Sequence, residues 1–176
     1  MLKFLNFNLK SILKYGVVGN TIIGVGLRGL GDSIQQNIEI NSKKSQNYDF
    51  LRTCKISCSG FVIGPLNFFW YKYLDTKFPG KSLRVVAKKI LLDQIYGATF
   101  FTFLFIMIVC LLDGKNFGES LREFGEKFPF IYLIDWIIWP PSQAVNFFLI
   151  PKELRVVFVN FILVCWNVFL SYVKYY

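Results

Sequence analysis

The chain of 176 residues is 54% hydrophobic and 19% aromatic, with 20 Phe, and only 18% charged. A soluble domain of this size has too little interior to bury that much apolar surface, and the same composition excludes disorder, while 13 Gly and 6 Pro exclude a collagen-like or Pro/Gly-rich chain. The formal net charge of +9 would suggest nucleic acid in a soluble domain, but the basic residues lie mostly in short segments between apolar runs, where membrane topology places them.

Residues 1–14 form a basic N-terminal segment carrying Lys3, Lys10 and Lys14 and no acid. Leu2, Leu5, Leu9 and Ile12 share one face of a helix there, as in a mitochondrial targeting or interfacial helix, without the Arg and Ser enrichment of targeting peptides. Residues 15–176 then read as a single membrane-embedded helical domain. Its apolar stretches cover about 15–38, 51–74, 90–112, 130–150 and 154–172. Each is near the ~20 residues that cross ~30 Å of hydrocarbon as a helix. β-barrel strands would be about half as long and would alternate. The predicted fold is therefore an all-α membrane bundle of four to five spans, the last stretch either crossing or lying in the interface.

In the first stretch Gly16, Asn20, Gly24, Arg28 and Asp32 recur every four residues, and Gln35 continues the stripe. Arg28 and Asp32 are spaced to pair within one helix. The stripe reads either as helix packing around an internal ion pair or as the lining of a water-filled path. Gly24, Gly26 and Gly29 satisfy G-x-G-x-x-G, but no strand or βαβ unit surrounds them. Close helix contact is their physical use.

The second stretch holds Gly60 and Gly64 in a G-x-x-x-G arrangement, with Pro65 expected to bend the helix. Trp70, Tyr71 and Tyr73 suit a headgroup-level belt, with Lys72 snorkelling. The following connector presents a basic face, Lys77, Lys81, Arg84, Lys88 and Lys89, against Asp75 alone. Two crossings put it on the same side as the N-terminal lysines, the cytosol-like or matrix side. The first and third connectors are close to neutral.

The third stretch opens with Asp93 and Gln94 near the interface and is lipid-like beyond them. Between it and the fourth, Phe117, Leu121, Phe124 and Phe128 predict a short interfacial amphipathic helix. The fourth contains Asp135, and its Pro140–Pro141 pair after Trp139 predicts a broken helix. Gln143, Asn146 and Ile150 then share a face with Trp139. Pro151 suits the first position of the last helix, with Glu153 near its positive end. Asn160, Asn167 and Ser171 line one side of that helix. A break at membrane depth is tolerated only inside protein or beside a cavity, so the candidates for a pore or polar interior are Asn20, Arg28, Asp32, Gln35, Asp93, Asp135, Gln143, Asn146, Asn160 and Asn167.

Cys54, Cys58, Cys110 and Cys165 read as free thiols. Cys54 and Cys58 share a helix face, but no second pair stands at zinc-site spacing. With no histidine, no nucleophile elbow and no P-loop, neither a metal, a cofactor nor an enzymatic activity is expected.

In the C-terminal third, Trp139-Pro140, Gln143, Asn146-Phe147, Pro151, Arg155, Trp166-Asn167 and Leu170-Ser171 follow in order. Gly31-Asp32 with Gln36, Gly64-Pro65, Trp70-Tyr71, Leu74-Asp75 and Asp93-Gln94 precede them. In this combination the chain resembles the Mpv-seventeen/peroxisomal membrane protein twenty-two family over about 15–176. Family members often carry a proline where Thr99 stands and a histidine where Phe68 stands. The resemblance therefore implies a straighter third helix and one fewer titratable group. It also implies a non-enzymatic protein of the mitochondrial inner membrane, with the peroxisomal membrane as the alternative, associated with weakly selective channels or with mitochondrial ribosome assembly. Two functions are expected to compete: a solute path through the membrane, and a scaffold whose basic face holds mitochondrial ribosomal particles. The partners expected are the lipid bilayer, small solutes, the mitochondrial ribosome and a second copy of the chain.

Overall fold

The computed structural model describes residues 16–80, 82–151 and 154–176. The basic segment 1–14, Lys81 and Glu153 lie outside them. Five helices account for most of the described chain: α1 Val17–Asn41, α2 Phe50–Lys77, α3 Leu83–Leu112, α4 Phe117–Phe148 and α5 Arg155–Tyr175. Two of them, α3 and α5, are long and apolar enough to cross a membrane by length and composition.

The helix boundaries follow from local chemistry. Asp49 caps α2 by accepting from Arg52 N at 2.9 Å. Asn116 and Glu119 cap α4 reciprocally, each side chain bonding the other's backbone N–H at 2.9 Å. At the end of α3, Gly114 adopts φ +83°, which turns the chain so that Lys115 N reaches Cys110 O at 3.0 Å. That turn fixes Asp113 and Lys115 beside one another at the bundle end.

The helices close into a ring, each packed on the next in sequence and α5 on α1. Antiparallel neighbours put the C-termini of α1, α3 and α5 and the N-termini of α2 and α4 at one end. A single apolar cluster fills the ring beside that end: Ile56, Ile63, Phe105, Ile106, Val109, Cys110, Ile131, Trp166, Leu170 and Val173. The tightest seam joins α1 to α2. A Cβ on Gly60 would come within 2.6 Å of Val25 N, and one on Gly64 within 2.7 Å of Thr21 Cα. Gly31 makes the same kind of contact with α5, where a Cβ would meet Asn167 Cβ at 2.5 Å. Gly60 and Gly64, anticipated as packing sites, are thus backbone-contact positions, whereas Gly26, expected to make a close helix contact, has nothing within 4 Å of an added Cβ.

Three expectations are corrected. The fourth helix is not broken: α4 runs continuously for 32 residues through Pro129, Pro140 and Pro141. The amphipathic stretch and the fourth apolar run are one element. The two adjacent prolines withdraw N–H donors, but their fixed φ is helical, and α3 and α5 pack along the same helix. Second, α3 is not uniformly α-helical where an uninterrupted helix is implied: a π-helical turn spans Asp93–Gly97, just before the proline-free position Thr99. Third, Pro151 does not open the last helix, which begins at Arg155. Pro65 lies inside a continuous α2.

A buried charge layer as the candidate functional site

The most densely connected polar group lies where α1, α2 and α5 meet at the ring end that gathers those termini. Asp32 is fully buried. Its Oδ1 accepts from Arg52 Nε at 2.9 Å and Ser171 Oγ at 2.6 Å, and its Oδ2 from Thr53 Oγ1 at 2.6 Å and Gln36 Nε2 at 2.8 Å. Arg52 turns its other nitrogens to Glu39, Nη1 to Oε2 at 2.7 Å and Nη2 to Oε1 at 2.9 Å. Nη2 also donates to Ser171 Oγ at 2.8 Å. The guanidinium lies 4.2 Å from the centre of the Tyr175 ring. Gln35 completes Glu39 by donating to Oε1 at 3.1 Å. Every lone pair of the fully buried carboxylate has a donor, the condition under which buried charge is tolerated.

Arg28 and Asp32 do not pair, although their spacing permits it. Asp32 points to α2 and α5, while Arg28 Nη1 curls back to Gly24 O at 3.2 Å and its Nε is buried without a partner. A bidentate guanidinium from another helix outcompetes a side chain on the same helix because it satisfies both carboxylates at once.

A second ionic group adjoins the first. Asp113 is held by Lys55 at 3.0 Å and Lys174 at 3.1 Å. Glu123 Oε2 accepts from Lys115 at 2.5 Å and Cys110 Sγ at 3.0 Å, while Oε1 lies 3.1 Å from Lys174 and 3.2 Å from Lys127. Lys127 also donates to the Lys174 carbonyl at 2.5 Å. The last turn of α5 therefore serves both groups, Ser171 in the first and Lys174 in the second. Burial pushes the Glu123 carboxyl up, but Lys115, Cys110 and Lys174 overcome it and hold the group down at about 2. The bond to Glu123 raises Lys115 above the ordinary lysine value. An open cavity of about 650 Å³ lies beside Lys115, Lys127, Lys174 and Tyr175.

Apart from Asn167, which packs on Gly31 beside the charge layer, and Arg28, the remaining candidates scatter toward the opposite, basic end. Asp93 accepts from Trp70 Nε1 at 2.7 Å and Tyr71 OH at 2.8 Å. Gln94 donates to Asp135 Oδ2 at 2.5 Å. The π turn sends these neighbouring residues to different helices, Asp93 to α2 and Gln94 to α4. Asn146 is buried with Oδ1 unpartnered, and Gln143 and Asn160 are half-buried. Asn167 is buried and bonds the Leu163 carbonyl at 2.8 Å. Asn20 is exposed, bonded to Gly16 O and set in a shallow groove beside Lys72, so the stripe expected to line the interior does not stay inside. Trp139 is half-buried, 6.2 Å from Trp166. On the basic face Lys77, Arg84 and Lys88 are exposed, while Lys89 pairs with Asp75 at 2.6 Å. Asp32 and Gln35 thus join the charge layer, and the other candidates do not.

Sequence reasoning missed Arg52, Glu39, Lys55, Asp113, Glu123 and Lys174. Arg52 and Lys55 stand inside an otherwise apolar stretch, which was the available signal. Asp113 and Lys115 resemble ordinary connector residues, and only the turn at Gly114 brings them into the layer.

These features define an all-helical protein with two helices long and apolar enough to cross a membrane, its ring fastened at one end by buried ion pairs. The Mpv17 / PMP22 family model matches residues 110–171. PXMP2/4 family protein 4 of Dictyostelium discoideum is 34% identical over 93% of this chain and 89% of its own length. Protein SYM1 of Kluyveromyces lactis is 30% identical over 96% and 88%, and the mitochondrial inner membrane protein Mpv17 of Xenopus laevis 33% over 83% and 82%. No solved structure matches the chain. The chain belongs to the Mpv17 / PMP22 family. The mitochondrial inner membrane, the location expected from the sequence, is accordingly where it resides, in a family that also has peroxisomal members.

Proposed function

We propose that the protein is a non-enzymatic bundle of five spans that forms a weakly selective solute path, here closed at the ion-pair end. One observation carries this reading: buried polar atoms without partners, Arg28 Nε near the middle of the ring and Asn67 Oδ1 and Asn146 Oδ1 toward the basic end. In a dry interior each such group costs about 1–3 kcal/mol, so water entering from the basic end is the economical way to satisfy them. The apolar cluster and the charge layer then stand between that water and the opposite side. With α1, α2 and α4 counted as spans beside α3 and α5, the start of α1 and the end of α5 lie on opposite faces of the membrane.

Reconstitution of purified protein into planar bilayers tests the path. Discrete, weakly selective currents are expected, and a silent membrane across voltages and redox conditions removes the reading. The scaffold reading draws on the exposed Lys77, Arg84 and Lys88. It expects low-salt co-sedimentation with mitochondrial ribosomal subunits that is lost when these residues are changed to Gln. Unchanged sedimentation of that variant removes it.

A further inference from the structure

The first ten residues of α3, Leu83–Leu92, contain no buried residue, and Leu83 and Leu91 are 64% and 50% exposed. They also exceed what a span needs. The helix ends at Leu112, and the ~20 residues that cross ~30 Å of hydrocarbon, counted back from there, reach Asp93. The π turn at Asp93–Gly97 marks the same boundary. Ahead of it Arg84 and Lys88, four residues apart, share one face of the helix, and both are exposed. This stretch is fastened to the end of α2. Lys89 pairs with Asp75 at 2.6 Å, and Lys88 lies 4.7 Å from the centre of the Phe78 ring. Asp75 is the only acid between Leu74 and Leu92, and Lys89 takes it. Lys72, Lys77, Arg84 and Lys88 are exposed, and none of them pairs with a carboxylate among the described residues.

We propose that this end of the bundle docks on the headgroups of anionic phospholipids. Lys72 and Lys77 of α2 and Arg84 and Lys88 of α3 meet the phosphates, and Leu83 and Leu91 enter the first acyl carbons. Four unneutralised cations ask for a polyanion, and two features favour a lipid surface over a nucleic acid. Leu83 adjoins Arg84 and Leu91 lies one turn from Lys88, and a nucleic-acid backbone offers those leucines no apolar cover. Tyr73, 56% exposed, stacks on Trp70 at 6.1 Å, and such rings gather at headgroup level. The docking face stands whether or not the ring conducts, but it claims the residues on which the scaffold reading draws.

The full chain reconstituted in phosphatidylcholine vesicles tests it. Spin-labelled phosphatidylglycerol and spin-labelled phosphatidylcholine are compared by the fraction of each that the protein immobilises. A preference of about threefold or more for the anionic lipid is expected at low salt, shrinking as salt is raised. Combined Lys77→Gln, Arg84→Gln and Lys88→Gln brings the ratio close to one, whereas Lys43→Gln, at the opposite end, leaves it unchanged. Equal immobilisation of the two lipids by the wild type overturns the proposal, as does a triple variant that keeps the full preference. An equal loss in Lys43→Gln also overturns it, since total charge would then be the cause. Binding of polyuridylate that the triple variant loses, with the lipid ratio unmoved, overturns it in favour of nucleic acid. Should the triple variant fail to reconstitute, Lys88→Gln alone replaces it: a smaller drop is expected there, and no drop overturns the proposal.

Discussion

Replacing Arg52 with Met is the sharpest test of the charge layer. Arg52 is 9% exposed, and the carboxylates it serves are 0% and 2% exposed. The substitution removes the donor to Asp32, both donors to Glu39 and one donor to Ser171. Asp32 would retain Ser171, Thr53 and Gln36, and Glu39 would retain the neutral donors Gln35 and Tyr176. Two carboxylates then share a buried site with no cation bonded to either. Breaking such a pair from one side costs about 3–5 kcal/mol, a large fraction of the about 5–15 kcal/mol that holds a domain folded. Arg52→Lys keeps the charge, but one ammonium group does not span both acids, so an intermediate loss of about 1–3 kcal/mol is expected. Adding Asp32→Asn to Arg52→Met should recover part of the loss, giving a coupling of at least about 1 kcal/mol in the cycle. Chemical or thermal unfolding in detergent measures the wild type, Arg52→Met, Arg52→Lys, Asp32→Asn and the Arg52→Met/Asp32→Asn double variant. A loss below about 1 kcal/mol for Arg52→Met, or strict additivity in the cycle, refutes the reasoning that these ions depend on one another.

Gly60→Val should disrupt the α1–α2 seam by at least about 2 kcal/mol, since the first added carbon already meets Val25 backbone atoms at 2.6 and 2.7 Å. Gly26→Ala, with nothing within 4 Å, should leave melting unchanged or raise it slightly, and a comparable loss at both positions would contradict the assigned seam. Glu123, held at about 2 against an ordinary 4.5, contributes stability that is fully present above about pH 4.5 and lost as pH falls toward 2. That displacement corresponds to about 3 kcal/mol at most. Glu123→Gln should flatten this part of the pH–melting curve, and an unchanged acid slope would show that the destabilisation arises elsewhere.

Much of the site escaped a linear reading for an identifiable reason. The small-residue positions were legible because a G-x-x-x-G spacing already puts Gly60 and Gly64 on one face. Asp32 was legible as a costly intramembrane charge, but the obvious partner four residues away was the wrong one. Besides Gln36 on the same helix, its donors come from residues 20, 21 and 139 positions further along, a relation carried by helix register. Likewise the paired prolines reported two lost backbone donors without reporting whether neighbouring helices would keep the chain straight.

Composition and stretch length alone fixed the class, the helical nature of the spans and the location of the basic face, because each depends on how much apolar surface a segment carries and how far it reaches. Tertiary packing decided which ions meet, that α4 continues past its prolines, and that the last turn of α5 joins two ionic groups. Those outcomes depend on distances between segments remote in sequence, set by the packing of α1 on α2, of α3 on its neighbours and of α5 on α1.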